Sequence, residues 1–75
     1  MKLSDINLNL LVNLNVLLDT CNVSRAAEQP NMRQSTMSKC LGQLREIFED
    51  PLLVRVGNHL EATPRAIQIK ARLSL

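Results

Sequence analysis

Gln34, Ser35, Thr36, Ser38 and Lys39 follow Arg33 in the stretch Arg33-Gln34-Ser35-Thr36-Met37-Ser38-Lys39-Cys40-Leu41-Gly42-Gln43-Leu44-Arg45-Glu46. An amide and short hydroxyls can donate and accept hydrogen bonds at base edges, and Lys and Arg neutralise phosphates. The chemistry these side chains offer is recognition of a duplex rather than bond breaking. Such a set must be held on one side of an element, and the apolar residues supply it. Met37, Leu41, Leu44 and Phe48 recur at intervals of four, three and four, which predicts a helix with that side buried. Ser35, Lys39, Gly42 and Glu46 then fall on the opposite side, flanked by Gln34, Ser38 and Arg45. The same pattern also fits the wet face of an amphipathic helix that binds nothing.

Net charge is only +2, but its placement is uneven. Between Arg25 and Arg45 the chain carries Arg25, Arg33, Lys39 and Arg45 against Glu28 alone, a local excess around the proposed reading helix. One Phe, with no Trp or Tyr, leaves no stacking platform for single-stranded nucleic acid. Catalysis is not expected. No paired carboxylates, Cys/His arrangement or glycine-rich phosphate loop is present, and Gly42 and Gly57 stand alone. Cys21 and Cys40 form no CxxC pair and His59 has no second ligand beside it, so no metal or other cofactor is expected. Both thiols are expected reduced and mostly buried in a cytoplasmic protein. Asn residues interrupt the run from Leu8 to Leu18, and no stretch approaches the roughly 20 apolar residues that span a bilayer.

The 75 residues make one small domain, which buries only about 60% of its unfolded surface. A first helix capped by Ser4 or Asp5 is predicted to run to about Thr20, burying Leu10 or Leu11, Leu14, Leu17 or Leu18, and Cys21. Ser24 is read as the N-cap of a short second helix, Arg25 to Gln29, in which Ala26 and Ala27 allow close approach. Pro30 is expected to force Gln29 out of helical geometry. A turn at Asn31-Met32 and the helix over 33–46 complete a helix-turn-helix. Leu52 to Val56 reads as a strand, Gly57-Asn58-His59 as a turn, and Leu60 to Thr63 as the returning strand. Thr63 then caps a helix with Pro64 at its first position. Along it Ala66, Ile69 and Leu73 form one apolar stripe, and Ile67, Ala71 and Leu75 a second, left for a partner.

The order of these elements resembles the N-terminal DNA-binding domain of LysR-type transcriptional regulators over nearly the whole chain. The resemblance rests on Asp5 to Leu11, Ser24-Arg25-Ala26-Ala27-Glu28, Gln34 with Ser38 and Lys39, Leu44-Arg45, Phe48-Glu49-Asp50-Pro51-Leu52, Val54-Arg55 and Thr63-Pro64-Arg65-Ala66. It implies a mainly α fold, a winged helix-turn-helix with a three-helix core and a short β-hairpin wing. Residues 1–63 would form that domain and residues 64–75 the start of a linker or dimerisation helix. The helix at 33–46 would read the major groove of double-stranded DNA, and the wing at 52–63 would lie near the minor groove. Gln34 and Ser38 match family positions that meet bases or nearby phosphates, Lys39 matches a backbone-contacting cation, and Ser35 stands where the family commonly has Pro. With the basic cluster, the expected DNA-facing set is Arg25, Arg33, Gln34, Ser35, Thr36, Ser38, Lys39 and Arg45, joined by Arg55, Asn58 and His59 of the wing. Three places depart from the family pattern. Arg33 replaces a Ser or Thr cap, Pro30 replaces a packed Leu, and Asn58 and His59 replace Arg and Gly at the wing tip.

The resemblance also implies a homodimer paired through the helix from Pro64, using Ile67, Ala71 and Leu75. Because the pattern stops at Leu75 without a C-cap, that interface is expected to be weakened by truncation. The family's ligand-sensing domain would follow, so no small-molecule inducer is expected for these 75 residues. The competing reading is a winged helix used for protein association without DNA, and salt separates the two, since phosphate-driven binding weakens steeply with salt.

Overall fold

The computed structural model describes residues 7–73. Four helices and one hairpin follow in the order α1 (Leu8–Thr20), α2 (Val23–Glu28), α3 (Gln34–Phe48), β1 (Leu53–Val56), β2 (His59–Ala62) and α4 (Pro64–Leu73). The fold is a winged helix-turn-helix, mainly α, in which α1 packs against α2, α3 and α4, and α2 against α3. Its core joins Leu14, Leu17 and Leu18 of α1, Ala26 and Ala27 of α2, and Met37, Cys40, Leu41 and Leu44 of α3. Leu52, Leu53, Ala66 and Ile69 close it. Ala26 and Ala27 are both buried, and their small side chains let α2 sit between its two neighbours.

Local signals place most boundaries, with corrections. Ser4 and Asp5 lie outside the described residues; α1 is capped instead by Asn7, whose side chain accepts from the Asn9 N–H at 2.7 Å. Cys21 ends α1 with φ 49°, its N–H donating to the Leu17 carbonyl. The cap of α2 is Asn22 rather than Ser24, accepting from the Arg25 N–H at 3.0 Å; Asn and Ser are equally good caps, and Asn22 is the one with extended backbone. Pro30 does not force Gln29 out of helical geometry, for Gln29, the residue that follows α2, keeps φ −61° and ψ −48°. The turn closes one residue later, where Asn31 adopts φ 56°. There the Met32 N–H reaches the Ala27 carbonyl and the Asn31 N–H the Glu28 carbonyl, the paired bonds of a Schellman end. Those two bonds, and Met32 packed against the core, outweigh the steric preference that Pro imposes on its predecessor.

In α3 the expected buried side is present at Met37, Leu41 and Leu44, with Cys40 added, while Phe48 is only half-buried against the core. Cys21 is likewise half-buried. The hairpin is tighter than the sequence predicts. Val56 pairs with His59, so the turn is Gly57-Asn58 alone, with Gly57 at φ 65° as a glycine-first two-residue turn requires. Leu52 is not a strand residue; it takes φ 65° and buries its side chain completely. Thr63 caps α4 as expected, its hydroxyl accepting from the Ala66 N–H at 3.1 Å. Among the described residues, no helix is long and apolar enough to cross a membrane.

Candidate nucleic-acid interface

The outward face of α3 is built by subtraction. Once Met37, Cys40, Leu41 and Leu44 turn inward, the 3.6-residue period leaves Gln34, Ser35, Thr36, Ser38, Lys39, Gly42, Gln43 and Glu46 exposed. Gln34 and Ser38 lie one turn apart on the same flank, facing the wing. There they line an open cleft of about 320 Å³ with Asn22, Val23 and Ser24 at the start of α2 and with Arg55, Asn58, His59 and Leu60 of the hairpin. Five sequence-predicted site residues thus meet in one place: Gln34, Ser38, Arg55, Asn58 and His59. Asn22 and Ser24 were missed as cleft residues. Their signal was the cap preference of Asn before an Ala-containing helix, which sets the direction in which α2 begins.

Arg25, Arg33, Ser35, Thr36 and Lys39 are exposed but do not line the cleft. Arg25, Arg33, Lys39 and Arg55 form no ion pair among the described residues. The unpaired cations of the helix-turn-helix and the wing therefore remain available to an anionic partner. His59 is otherwise engaged, its Nε2 lying 2.8 Å from Glu61 Oε2 with both side chains more than half exposed. Arg45 takes a role the sequence did not suggest. Its Nε donates to the Pro51 carbonyl at 2.7 Å and its Nη2 to the Leu53 carbonyl at 3.0 Å, which ties the end of α3 to the base of the wing.

Asp50 anchors the same junction. Its Oδ2 accepts from the Thr63 hydroxyl at 2.7 Å and from the Leu52 N–H at 2.9 Å. The Thr63 hydroxyl and then the Leu52 N–H hold the Asp50 carboxyl below the usual carboxylate range, against an opposing effect of burial and with a lesser contribution from the charge of Arg65. On α4, Ile67 is 59% exposed and Ala71 is exposed too; Leu75 lies outside the described residues. No three His, Cys, Asp or Glu side chains among the described residues gather as a metal ion would require.

The family model described as bacterial regulatory helix-turn-helix protein, lysR family, matches residues 8–67, from the start of α1 into α4. This chain belongs to that lysR family. Its regulatory helix-turn-helix is the α2–α3 pair, with the cleft between that pair and the wing. The domain is 43% identical over 72 residues to the HTH-type transcriptional regulator SyrM of Rhizobium etli, covering 96% of this chain and 21% of SyrM. It thus spans about a fifth of that relative's length. Among solved structures it is similar to the probable transcriptional regulator PA0477 of Pseudomonas aeruginosa, with a TM-score of 0.87 and 35% identity over 96% of this chain and 24% of that one. The fold is shared as well with Vibrio fischeri DarR, solved in complex with DNA. There the TM-score is 0.82 at 24% identity, over 93% of this chain and 24% of DarR.

Proposed function

We propose that this lysR-family domain binds double-stranded DNA sequence-specifically, with α3 in the major groove and the hairpin near the minor groove. The observation that carries the reading is the outward face of α3, polar from Gln34 to Gln43 and bordered by cations without ion-pair partners. A B-form major groove about 12 Å wide admits one helix, and the first turns of that helix meet base edges. Gln34 and Ser38 take the base-reading role, Gln34 having the amide that pairs bidentately with adenine. Lys39, Arg25 and Arg33 take phosphates, with Ser35 and Thr36 beside them. Arg55 and Asn58 supply the contact from the wing; His59, held by Glu61, contributes less. DarR, which shares this fold, was solved in complex with DNA, and that parallel supports the docking mode. The role is binding without catalysis, in the bacterial cytoplasm.

Selection of bound sites from random duplexes tests this reading. Gln34→Ala is expected to relax preference at one position per half-site by about 1 to 3 kcal/mol. Lys39→Ala weakens all duplexes alike and lowers the salt slope by about 0.9. Salt-insensitive binding with no enriched site would point to protein association instead.

The domain works as a homodimer paired through α4, residues 64–75 forming the start of the dimerisation helix. Ile67 and Ala71 support this because Ala66 and Ile69 already close the core and leave the other stripe exposed. Twofold pairing would set half-sites about one helical turn, roughly 10 base pairs, or a multiple apart. Sedimentation with one and with two half-sites measures it, and equal affinity per site on both would count against pairing.

A further inference from the structure

We infer that Arg45 is a positioning residue, which orients the wing against α3 and acts on a duplex through Arg55 rather than by touching it. The first half stands on geometry alone, and the second rests on the DNA-binding reading. Between its two acceptors, Pro51 and Leu53, the chain makes a γ-turn. Leu52 has φ 65°, and the Leu53 N–H returns to the Pro51 carbonyl at 2.6 Å. A γ-turn with positive φ at its centre is strained for an L-residue and persists only when its surroundings enforce it. The enforcement is visible on every side. The Leu52 side chain is fully buried, its N–H goes to Asp50, its carbonyl accepts from the Thr63 N–H at 2.9 Å, and Arg45 bridges the flanking carbonyls.

The hairpin that leaves this turn is lightly embedded. Leu53, Leu60 and Ala62 reach the core, while Val54 to His59 are exposed. A ribbon of two short strands takes its direction from its base. Arg55 lies two residues beyond the Leu53 carbonyl, on the same face of β1 as Leu53, and borders the cleft with Gln34 and Ser38. The Arg45 fork therefore sets where the Arg55 charge stands relative to the reading side chains. Arg45 makes its two contacts from different nitrogens, Nε and Nη2, of one rigid plane, whereas an ammonium must donate from a single nitrogen, so Lys does not reproduce that geometry.

Residual dipolar couplings of backbone amides in the whole 75-residue chain test the positioning. In Arg45→Lys and Arg45→Gln alike, the wing amides of residues 54–61 are expected to reorient relative to α3, while the couplings of α1, α2 and α3 still fit one orientation. Unchanged wing couplings overturn the inference. Binding of a fluorescein-labelled duplex taken from the site selection, followed over a salt series, tests the route to DNA. Arg55→Ala and Arg45→Gln should each lower the slope of log affinity against log salt by about 0.9. The double variant should lose no more than either single change, and Arg45→Lys should behave as Arg45→Gln does. Parent-like binding by Arg45→Lys, or additive losses in the double variant, overturns the route through Arg55. A simple loss of stability would appear as a smaller folded fraction in circular dichroism at the same temperature, and would add to the Arg55 change rather than overlap with it. If the parent bound no duplex at any salt, the DNA reading would fall, and the couplings alone would decide whether Arg45 holds the wing.

Discussion

Arg33→Ser should stabilise the domain and weaken its binding at once. Arg33 occupies the N-cap of α3 with φ −72° and ψ 146°, and its side chain caps nothing. Its carbonyl accepts the first helical bond, from the Met37 N–H at 3.0 Å, but the Gln34, Ser35 and Thr36 N–H groups have no acceptor among the described residues. The other three helices are capped by Asn7, Asn22 and Thr63, at 2.7, 3.0 and 3.1 Å. A serine hydroxyl at position 33 would reach the N–H of Ser35 or Thr36, a gain of about 1 kcal/mol. Removing a cation from the positive end of the helix dipole adds roughly 0.3 to 1 kcal/mol. In a domain of this size each kcal/mol moves the melting temperature by about 4 to 8 °C. Arg33→Ala is the control, since it relieves the dipole without supplying a cap, so the serine variant should exceed it by about 1 kcal/mol in thermal and urea unfolding. Serine and alanine variants that melt together would refute the account of the uncapped helix. In duplex titrations the same serine variant should lose about 0.9 from the salt slope, the contribution of one phosphate contact. An unchanged slope would remove Arg33 from the interface.

Leu44→Ala, which empties a fully buried site, should cost about 2 to 5 kcal/mol, and Phe48→Ala, at the half-buried end of the same helix, less than that. Urea unfolding that ranks Phe48 above Leu44 would contradict the packing. Glu49 ends α3 at φ 51° and ψ 44°, a conformation glycine adopts without a Cβ clash, and it places a negative charge at the negative end of the helix. Glu49→Gly should therefore raise stability by roughly 0.5 to 1 kcal/mol, seen as a higher urea midpoint with unchanged slope. The folded carboxyl of Asp50 titrates below its unfolded value of about 3.9, so its stabilisation is present above that pH and is lost as pH falls through the folded value. Asp50→Asn should flatten the fall in stability below about pH 4, and an acid limb as steep as the parent's would remove Asp50 from the junction.

The sequence by itself determined what arises between residues four apart or fewer. The inward side of α3, the Ala26-Ala27 contact, the Thr63-Pro64 start of α4 and the glycine at the hairpin turn follow from helical periodicity, side-chain volume and backbone preference. Those physical causes act locally, and the packed structure agrees with them. Tertiary structure decided the rest, because the deciding partner lies beyond that range. Arg45 reads as one more cation on a polar flank until the chain reverses after Glu49 and brings the Pro51 and Leu53 carbonyls back to it. Leu52 reads as a strand residue, yet burying its side chain in the core selects a positive φ that no local preference favours. Pro30 reads as a helix breaker, but Met32, packed against the core and bonded five residues back to the Ala27 carbonyl, closes the turn with Gln29 still helical. The cleft draws its walls from α2, α3 and both strands of the hairpin, so its polar lining exists only once packing on α1 has set the helix-turn-helix and the junction at Leu52 has aimed the wing.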